Sequence, residues 1–258
     1  MAGRTERLGE GRGYPVRFLA ISTFNTAGLQ KYGRRMISSF CRQWPEEVPL
    51  RLYSEGWKEE FPAVAVYDLL ASSPWLAAFK ARHKARTFRD YRWDAVRFAH
   101  KVAAVCHAAR GPADYLIWLD GDTFTHSPIS VADLEQLAPK TEWIAWLDRA
   151  KSYPECGFYI LNCRHPRHFE MIVTLERMYR DDDLFGLKEF HDSYVLEQVV
   201  KMAGIETKSL SGEGYRTNHP VINGPLSQWF DHMKGARKDI GRTPAGERQV
   251  RDGVAYWS

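Results

Sequence analysis

Two aspartates separated by one glycine follow the most apolar short run of the sequence, Tyr115–Leu119. Such a run is typical of a buried strand at a central position in a sheet, and ligands in open α/β sheets bind outside the carboxyl ends of the strands. At such a strand end, Asp120 and Asp122 offer the hard oxygen ligands that Mg²⁺ and Mn²⁺ prefer. Gly121 allows a tight backbone turn, so that both carboxylates can face one pocket. The sequence therefore predicts a divalent-cation site here.

A histidine, a glycine and a lysine recur at three-residue spacing later in the sequence, at His232, Gly235 and Lys238. A neutral imidazole can join two carboxylates as a third ligand of a divalent metal. Glycine permits close approach of the backbone to a phosphate group, and lysine supplies a positive charge for it. This pattern is typical of the closing side of a site for a diphosphate, and a basic surface turn with an unrelated histidine is the alternative.

Together the two motifs resemble those of glycosyltransferase family 8, the group of glycogenin and the lipooligosaccharide galactosyltransferases. The resemblance implies a GT-A fold, a Rossmann-like α/β domain with a mostly parallel central sheet flanked by helices. It also implies a nucleotide-sugar donor (a UDP-sugar), a bound Mn²⁺ or Mg²⁺, and transfer with retention of anomeric configuration. Under this resemblance the metal ligands are Asp120, Asp122 and His232, and the donor contacts include Asp120, Gly235 and Lys238.

Three more segments match the family, and two of them assign further donor contacts. Lys101, in FAHKVAAV, stands where the family's lysine reaches the donor, and a surface lysine on a helix is the equal alternative. Gly157, in ECGFYILN, matches the family's glycine. Thr23 and Phe24 fall where the family binds the nucleotide base, at the end of the first predicted strand.

Two carboxylates are candidates for the catalytic group beside the transferred sugar. Asp192, in HDSYVLEQ, matches the family's first aspartate, although a residue at a helix start can also serve only the helix dipole. Glu155 is the second candidate and replaces the family's asparagine. Ser193 and Tyr194 replace the glutamine and second aspartate that follow in the family. An inverting reaction, with one carboxylate as general base, therefore stays open beside retention.

Length and composition indicate one soluble α/β domain, or at most two small ones. The chain has 258 residues with 44% hydrophobic residues, and its net charge of +4 does not demand a nucleic-acid partner. Four cysteines without paired spacing indicate buried reduced thiols, and no run is apolar enough for a signal peptide or a membrane segment. We expect a cytoplasmic protein with a disordered segment at 1–14, one GT-A domain at 15–243 and a loose tail at 244–258.

The pattern of apolar residues predicts alternating strands and helices, which favours a parallel sheet with crossover helices. Residues 72–92 are polar and basic and are predicted to form a loop, which is a solvated face or a lid over phosphate or acceptor. Strands are predicted at 16–22, 49–53, 64–68, 115–119, 143–147 and 158–161, and helices at 27–44, 93–109, 166–179 and 189–202.

Other functions use the same residues. A magnesium-dependent phosphatase or nucleotidyltransferase could use the aspartate pair, but dehalogenase-like phosphatases carry threonine or valine where this chain has Phe124. A non-catalytic glycan- or RNA-binding module could use the basic residues at 80–92. For the transferase, the partners are a nucleotide-sugar donor and a saccharide or other hydroxyl acceptor whose identity the sequence leaves open.

Overall fold

A seven-stranded sheet forms the centre of the computed structural model, which describes residues 16–86, 88, 90–212, 219–249 and 253–257. The segment predicted to be disordered, 1–14, lies outside the described residues. The strands are β1 (Phe18–Phe24), β2 (Leu50–Ser54), β3 (Val64–Asp68), β4 (Tyr115–Leu119), β5 (Thr123–Thr125), β6 (Ile144–Arg149), β7 (Ser152–Asn162), β8 (Thr207–Ser209) and β9 (Phe230–His232).

Helices cover both faces of this sheet. They are α1 (Thr26–Gly28), which continues through a π-turn at Leu29–Gly33 into α2 (Arg34–Gln43), then α3 (Leu69–Ser72), α4 (Pro74–His83), α5 (Ala95–Ala108), α6 (Val131–Leu137), α7 (His168–Arg180), α8 (Asp192–Ala203), α9 (Pro220–Asn223) and α10 (Arg237–Ile240). Among the described residues, none of these helices has the length and apolarity to cross a membrane.

The strand order of the sheet is β3-β2-β1-β4-β7-β6-β8. The β1–β2, β2–β3, β1–β4 and β6–β8 pairs are parallel, whereas β7 runs antiparallel to both β4 and β6. The predicted mostly parallel α/β architecture is therefore confirmed. The predicted central strand, β4, has three strands on each side, which explains why both of its faces are apolar.

Alternate residues of β4 join two separate hydrophobic cores. Leu116 and Trp118 pack in the core under α5, α7 and α8, whereas Ile117 and Leu119 pack in the core under α2 and α6. Packing from both faces fixes the direction in which β4 leaves the sheet, and therefore the position of the residues that follow it.

The prediction of a loop at 72–92 is wrong for its first half, which forms helix α4. Pro74 stands in the first turn, and Leu76, Phe79 and His83 form a buried stripe at helical spacing. This stripe is narrow, and the basic residues around it obscured it. Two of those basic side chains have partners, since Arg82 pairs with Asp182 and Arg86 lies 4.0 Å from the Phe185 ring centroid.

The segment predicted to be a loose tail, 244–258, is packed at two described positions. Arg248 and Trp257 are buried, and the Trp257 Nε1 group donates a hydrogen bond of 2.9 Å to the Ser227 carbonyl. Single side chains anchor this segment, and for this reason its sequence has no periodic pattern of apolar residues.

The expectation that all four cysteines are buried is also wrong, since Cys41 is exposed on the outer face of α2.

Candidate functional site

A cleft of about 950 Å³ opens where β1 and β4 end. Its lining comes from segments spread along the chain, which include the end of β1, the residues after β2 and β4, the segment before α5, the inner face of α5, the end of β6, one face of β7, the start of α8 and the loop after β9. The predicted site residues all lie along this cleft, and they are Thr23, Phe24, Lys101, Asp120, Asp122, Glu155, Asp192, His232, Gly235 and Lys238. The cleft therefore gathers residues from most of the chain.

At one end of the cleft, here called the metal end, Asp120, Asp122 and His232 come together. The His232 Nε2 atom lies 3.1 Å from Asp122 Oδ1 and 3.6 Å from Asp120 Oδ2. One ligand atom from each of the three side chains lies within 4.8 Å of the other two. Two carboxylates and one imidazole in this arrangement could hold a single divalent ion.

A two-stranded sheet brings together the residues of the metal end, which are far apart in sequence. Strands β5 and β9 are antiparallel, and Thr123 faces His232 in their register. The backbone of Met233 donates a hydrogen bond of 3.0 Å to the Asp122 carbonyl. The short strand after Asp122 thus fixes where the histidine lies.

Gly157 makes room for the imidazole. A Cβ atom at this position would lie 2.3 Å from Cε1 of His232, closer than any real contact. The His232 ring is buried, and its Nδ1 atom has no hydrogen-bond partner among the described residues. Gly157 matches the family glycine noted in the sequence, and its physical role is this close approach.

Each aspartate of the metal end forms an ion pair with a lysine. Lys101 Nζ lies 3.2 Å from Asp120 Oδ1, to which Trp118 Nε1 also donates at 2.7 Å. Lys238 Nζ lies 2.8 Å from Asp122 Oδ2. Burial opposes ionisation of both carboxyls, but Lys101 lowers the pKa of Asp120 and the imidazole lowers the pKa of Asp122. Both groups are therefore carboxylates at neutral pH.

The same contacts shift the pKa of the His232 imidazole in the opposite direction. Burial lowers the pKa of His232, but the charge of Asp122 and the hydrogen bonds to both carboxylates outweigh it and raise that pKa to about 9. The charges of the metal end therefore hold one another in place.

Lys101 joins the metal end to the first candidate catalytic carboxylate. Its side chain is 11% exposed, so the alternative of a surface lysine is wrong. Its Nζ atom lies 2.7 Å from Asp192 Oδ2 and donates a hydrogen bond of 2.5 Å to the Cys156 carbonyl. Burial lowers the pKa of Lys101, but the two carboxylates raise it above its usual value. Asp192 stands in the first turn of α8, yet its carboxylate points to a lysine in the cleft.

The second candidate carboxylate, Glu155, is buried on the inner face of β7. It forms an ion pair with Lys234, and Arg149 Nη1 lies 3.8 Å from its Oε2 atom. Burial opposes ionisation of Glu155, but the charge of Lys234 lowers its pKa. Glu155 is therefore ionised, and it is paired with a lysine, as Asp192 is.

The residues predicted to bind the nucleotide base lie in the cleft where β1 ends. The Thr23 hydroxyl donates to the Tyr53 carbonyl at 2.7 Å and lies 3.0 Å from Glu55 Oε1. The Phe24 ring is only 3% exposed and stacks on Trp57. These contacts make Phe24 mainly a core residue, whereas Glu55 lies in the cleft and was not found from the sequence.

Beside the two candidate carboxylates, four aromatic side chains line the cleft and form what is here called the aromatic end. They are Tyr91, Phe98, Tyr153 and His191. The sequence did not predict these residues as a group, because they come from four separate segments. One signal in the sequence pointed to Tyr153. Alternate residues of a strand share a face, and Tyr153 lies four residues before Gly157, so the two residues are expected on the same face of β7.

Comparison with known proteins gives matches only at the level of structure. No family model matches the sequence, and no curated protein is detectably similar to it. The WbbM bifunctional glycosyltransferase superposes with a TM-score of 0.51 at 10% sequence identity. That match covers 79% of this chain and 40% of the WbbM chain, so this chain spans less than half of that protein's length.

Two further solved structures have lower scores. Mouse xyloside xylosyltransferase 1 matches with a TM-score of 0.48 at 13% identity over 75% of this chain and 85% of its own. The galactosyltransferase LgtC, solved with donor and acceptor sugar analogues, matches with a TM-score of 0.45 at 10% identity. That match covers 75% of this chain and 73% of the LgtC chain. The fold is the predicted GT-A fold, on the strength of the WbbM match.

Proposed function

We propose that this chain is a metal-dependent glycosyltransferase that moves a sugar from a nucleotide-diphosphate donor, a UDP-sugar, to an acceptor hydroxyl. The observation that carries the proposal is the convergence of Asp120, Asp122 and His232 where β4 ends, in a cleft of a GT-A fold. Ligands of open α/β sheets bind at this position.

The residues of the metal end fit a divalent cation. Nitrogen–oxygen separations of 3.1 and 3.6 Å suit three ligands that surround one ion at about 2 Å each. Two carboxylates favour hard cations, and the imidazole favours Mn²⁺ over Mg²⁺. A cation held there supplies positive charge to the diphosphate of the donor.

The other cleft residues have roles in the same reaction. Lys238 supplies a second positive charge on the diphosphate side, and Gly235, with φ of 59°, gives the loop the left-handed turn that brings this lysine inward. Lys101 holds Asp120 and Asp192 in fixed positions. Asp192 stabilises positive charge on the transferred sugar, and Glu155 is the second carboxylate available for this role.

We infer retention of anomeric configuration from the resemblance to family 8. Both candidate carboxylates are paired with lysines, which favours a role as a fixed negative charge over a role as a free general base. The configuration of the product, read from the anomeric proton coupling in NMR spectra, tests this inference.

Turnover of nucleotide sugars tests the proposed function. The purified protein is incubated with UDP-, GDP- and CDP-sugars, with and without Mn²⁺, and release of the nucleoside diphosphate is measured. We expect metal-dependent release from UDP-sugars, because slow transfer to water needs no acceptor. A generic phosphate ester, assayed in parallel, distinguishes a phosphatase: hydrolysis of the ester without release from any nucleotide sugar contradicts the proposal. Binding of RNA that persists in Asp122→Ala, with no turnover, identifies a binding module instead.

A further inference from the structure

The aromatic end lies beside both candidate carboxylates of the proposed reaction. His191 directly precedes Asp192, and Tyr153 lies two residues before Glu155, on the same face of β7. All four residues line one cleft. A molecule resting on the aromatic end is therefore held next to the groups that act on the transferred sugar.

The rings of the aromatic end form one continuous surface. The centroid of the His191 ring lies 4.2 Å from that of Tyr153, 5.8 Å from that of Tyr91 and 6.0 Å from that of Phe98. The centroids of Tyr91 and Phe98 are 6.3 Å apart. Rings at these distances are in contact. The buried His191 ring is the centre of this surface.

The exposed part of this surface is held in place before any ligand binds. Tyr91 is 49% exposed, although it lies in a cleft rather than on an open face. Its hydroxyl lies 2.8 Å from the hydroxyl of Tyr153, and this hydrogen bond links the segment before α5 to the start of β7. Because this hydrogen bond restricts the Tyr91 side chain, a ligand that stacks on it loses less binding free energy to side-chain ordering.

A guanidinium group lies beside the Tyr153 ring, whose hydroxyl is hydrogen-bonded to that of Tyr91. The Arg149 guanidinium lies 4.9 Å from the centroid of the Tyr153 ring, and its Nε atom donates to the Tyr153 carbonyl at 2.8 Å. Arg149 lines the cleft, and its Nη1 atom lies 3.8 Å from Glu155 Oε2. An apolar face with hydrogen-bond donors at its rim is complementary to a molecule with apolar C–H faces and a rim of hydroxyls.

We propose that the aromatic end is the acceptor subsite and that it binds a pyranose ring of a saccharide acceptor, stacked on Tyr91. This inference rests on the proposed function and adds the class of acceptor to it. A volume of about 950 Å³ is at the upper end of the usual range for one small ligand, which leaves room for an acceptor beside the donor.

The reaction at this subsite is a balanced group transfer. The oxygen of an acceptor hydroxyl forms a bond to the anomeric carbon of the donor sugar, and the bond from that carbon to the diphosphate oxygen breaks. The nucleoside diphosphate leaves with the electron pair of that bond, and the proton of the acceptor hydroxyl passes to the diphosphate oxygen. The products are a glycoside and the protonated nucleoside diphosphate.

Binding of simple glycosides tests the subsite, and the natural acceptor need not be identified first. The probes are methyl glycosides of glucose, galactose, N-acetylglucosamine and glucuronic acid, measured by saturation-transfer NMR with the full chain, UDP and Mn²⁺. The variants are Tyr91→Ala, which removes the stacking face, and Tyr91→Phe, which keeps it. Phe169→Ala, at a 69% exposed position on α7 outside the cleft, is the matched control. Thermal unfolding checks that each variant is folded.

We expect at least one glycoside to bind, about tenfold more weakly in Tyr91→Ala and within about threefold of wild type in Tyr91→Phe and Phe169→Ala. The affinity for UDP, measured by calorimetry on the same samples, stays unchanged in all three variants. If UDP binds but no glycoside does, the subsite proposal is overturned, and a peptide or lipid acceptor takes its place. Glycoside binding that is unaffected by Tyr91→Ala also overturns it. If glycosides bind in a Tyr91-dependent way but UDP does not, the aromatic end is a saccharide site and the proposed transfer reaction fails.

Discussion

The two ends of the cleft are held together by different forces. At the metal end, each charged group has a partner of opposite charge, as Lys101 has Asp120 and Lys238 has Asp122. At the aromatic end, ring contacts and one hydroxyl–hydroxyl hydrogen bond hold a surface that includes a half-exposed tyrosine. Charge away from water is costly unless it is paired, whereas a ring needs only to be packed. We therefore expect substitutions at the metal end to affect chemistry and stability, and those at the aromatic end to affect only acceptor use.

Asp122→Asn gives the largest expected effect. It removes one charged ligand from the metal end, and a bound cation contributes several kcal/mol of charge stabilisation, so we expect turnover to fall by about 10³-fold. Release of UDP from a UDP-sugar with Mn²⁺ measures it. Asp181→Asn, on the exposed end of α7, is the matched control and keeps full turnover. If Asp122→Asn retains more than about a tenth of wild-type turnover, the chemistry does not depend on the metal end.

Lys101→Met is expected to have the largest effect on stability. It leaves Asp120 and Asp192 without the cation that both contact, and removal of one partner from a buried ion pair costs about 3 kcal/mol or more. Urea unfolding at neutral pH, in the presence of a chelator, measures this loss. Lys201→Met removes a surface lysine that pairs with Glu197 and costs less than about 1 kcal/mol. Equal costs for the two variants would mean that the pairing at the metal end is not structurally required.

Gly157→Ala tests whether the metal end depends on the close packing of the His232 ring against residue 157. The added methyl group must displace the His232 ring, because its carbon would lie 2.3 Å from Cε1. Displacement of one ligand is expected to weaken Mn²⁺ binding by about 10- to 100-fold, with the fold retained. Calorimetric titration with Mn²⁺ measures this change. Gly186→Ala is the control, since a methyl group there meets no atom within 4 Å. Unchanged Mn²⁺ affinity in Gly157→Ala would place the ion away from His232.

Tyr153→Phe gives the smallest expected effect, and this effect is confined to the aromatic end. It removes the hydrogen bond that orients Tyr91 and keeps the ring contacts of residue 153. We expect the KM for a saccharide acceptor to rise about threefold, with the KM for the donor and kcat unchanged. Steady-state kinetics with each substrate varied in turn separates these terms. A change in the donor KM as large as that in the acceptor KM would remove the distinction between the two ends.

The same contrast explains which parts of the site the sequence could predict. Asp120 and Asp122 follow a five-residue apolar strand, and the sequence predicts both the strand and its central place in the sheet. The His232–Lys238 pattern is a local signal as well. The direction of β7 had no such signal, because an apolar strand has the same residue pattern in parallel and antiparallel pairs.

The aromatic end could not be predicted because its residues share no sequence pattern. The folded chain brings together the separate segments that carry Tyr91, Tyr153 and His191, and only then are their rings in contact. In the sequence alone, each of these residues is typical of a packed aromatic side chain. The error at α4 has a related cause. Its buried stripe of Leu76 and Phe79 is short, and the basic residues around it dominate the local composition.

The central claim is that two carboxylates and one imidazole share a single divalent ion where β4 ends. Pulsed electron paramagnetic resonance of Mn²⁺ bound to the protein with UDP tests it directly, because a coordinated imidazole nitrogen gives a characteristic coupling. We predict a nitrogen coupling in the wild-type protein that disappears in His232→Gln, and loss of Mn²⁺ binding in Asp122→Asn. A bound Mn²⁺ ion without nitrogen coupling, or a coupling that persists in His232→Gln, would contradict the claim.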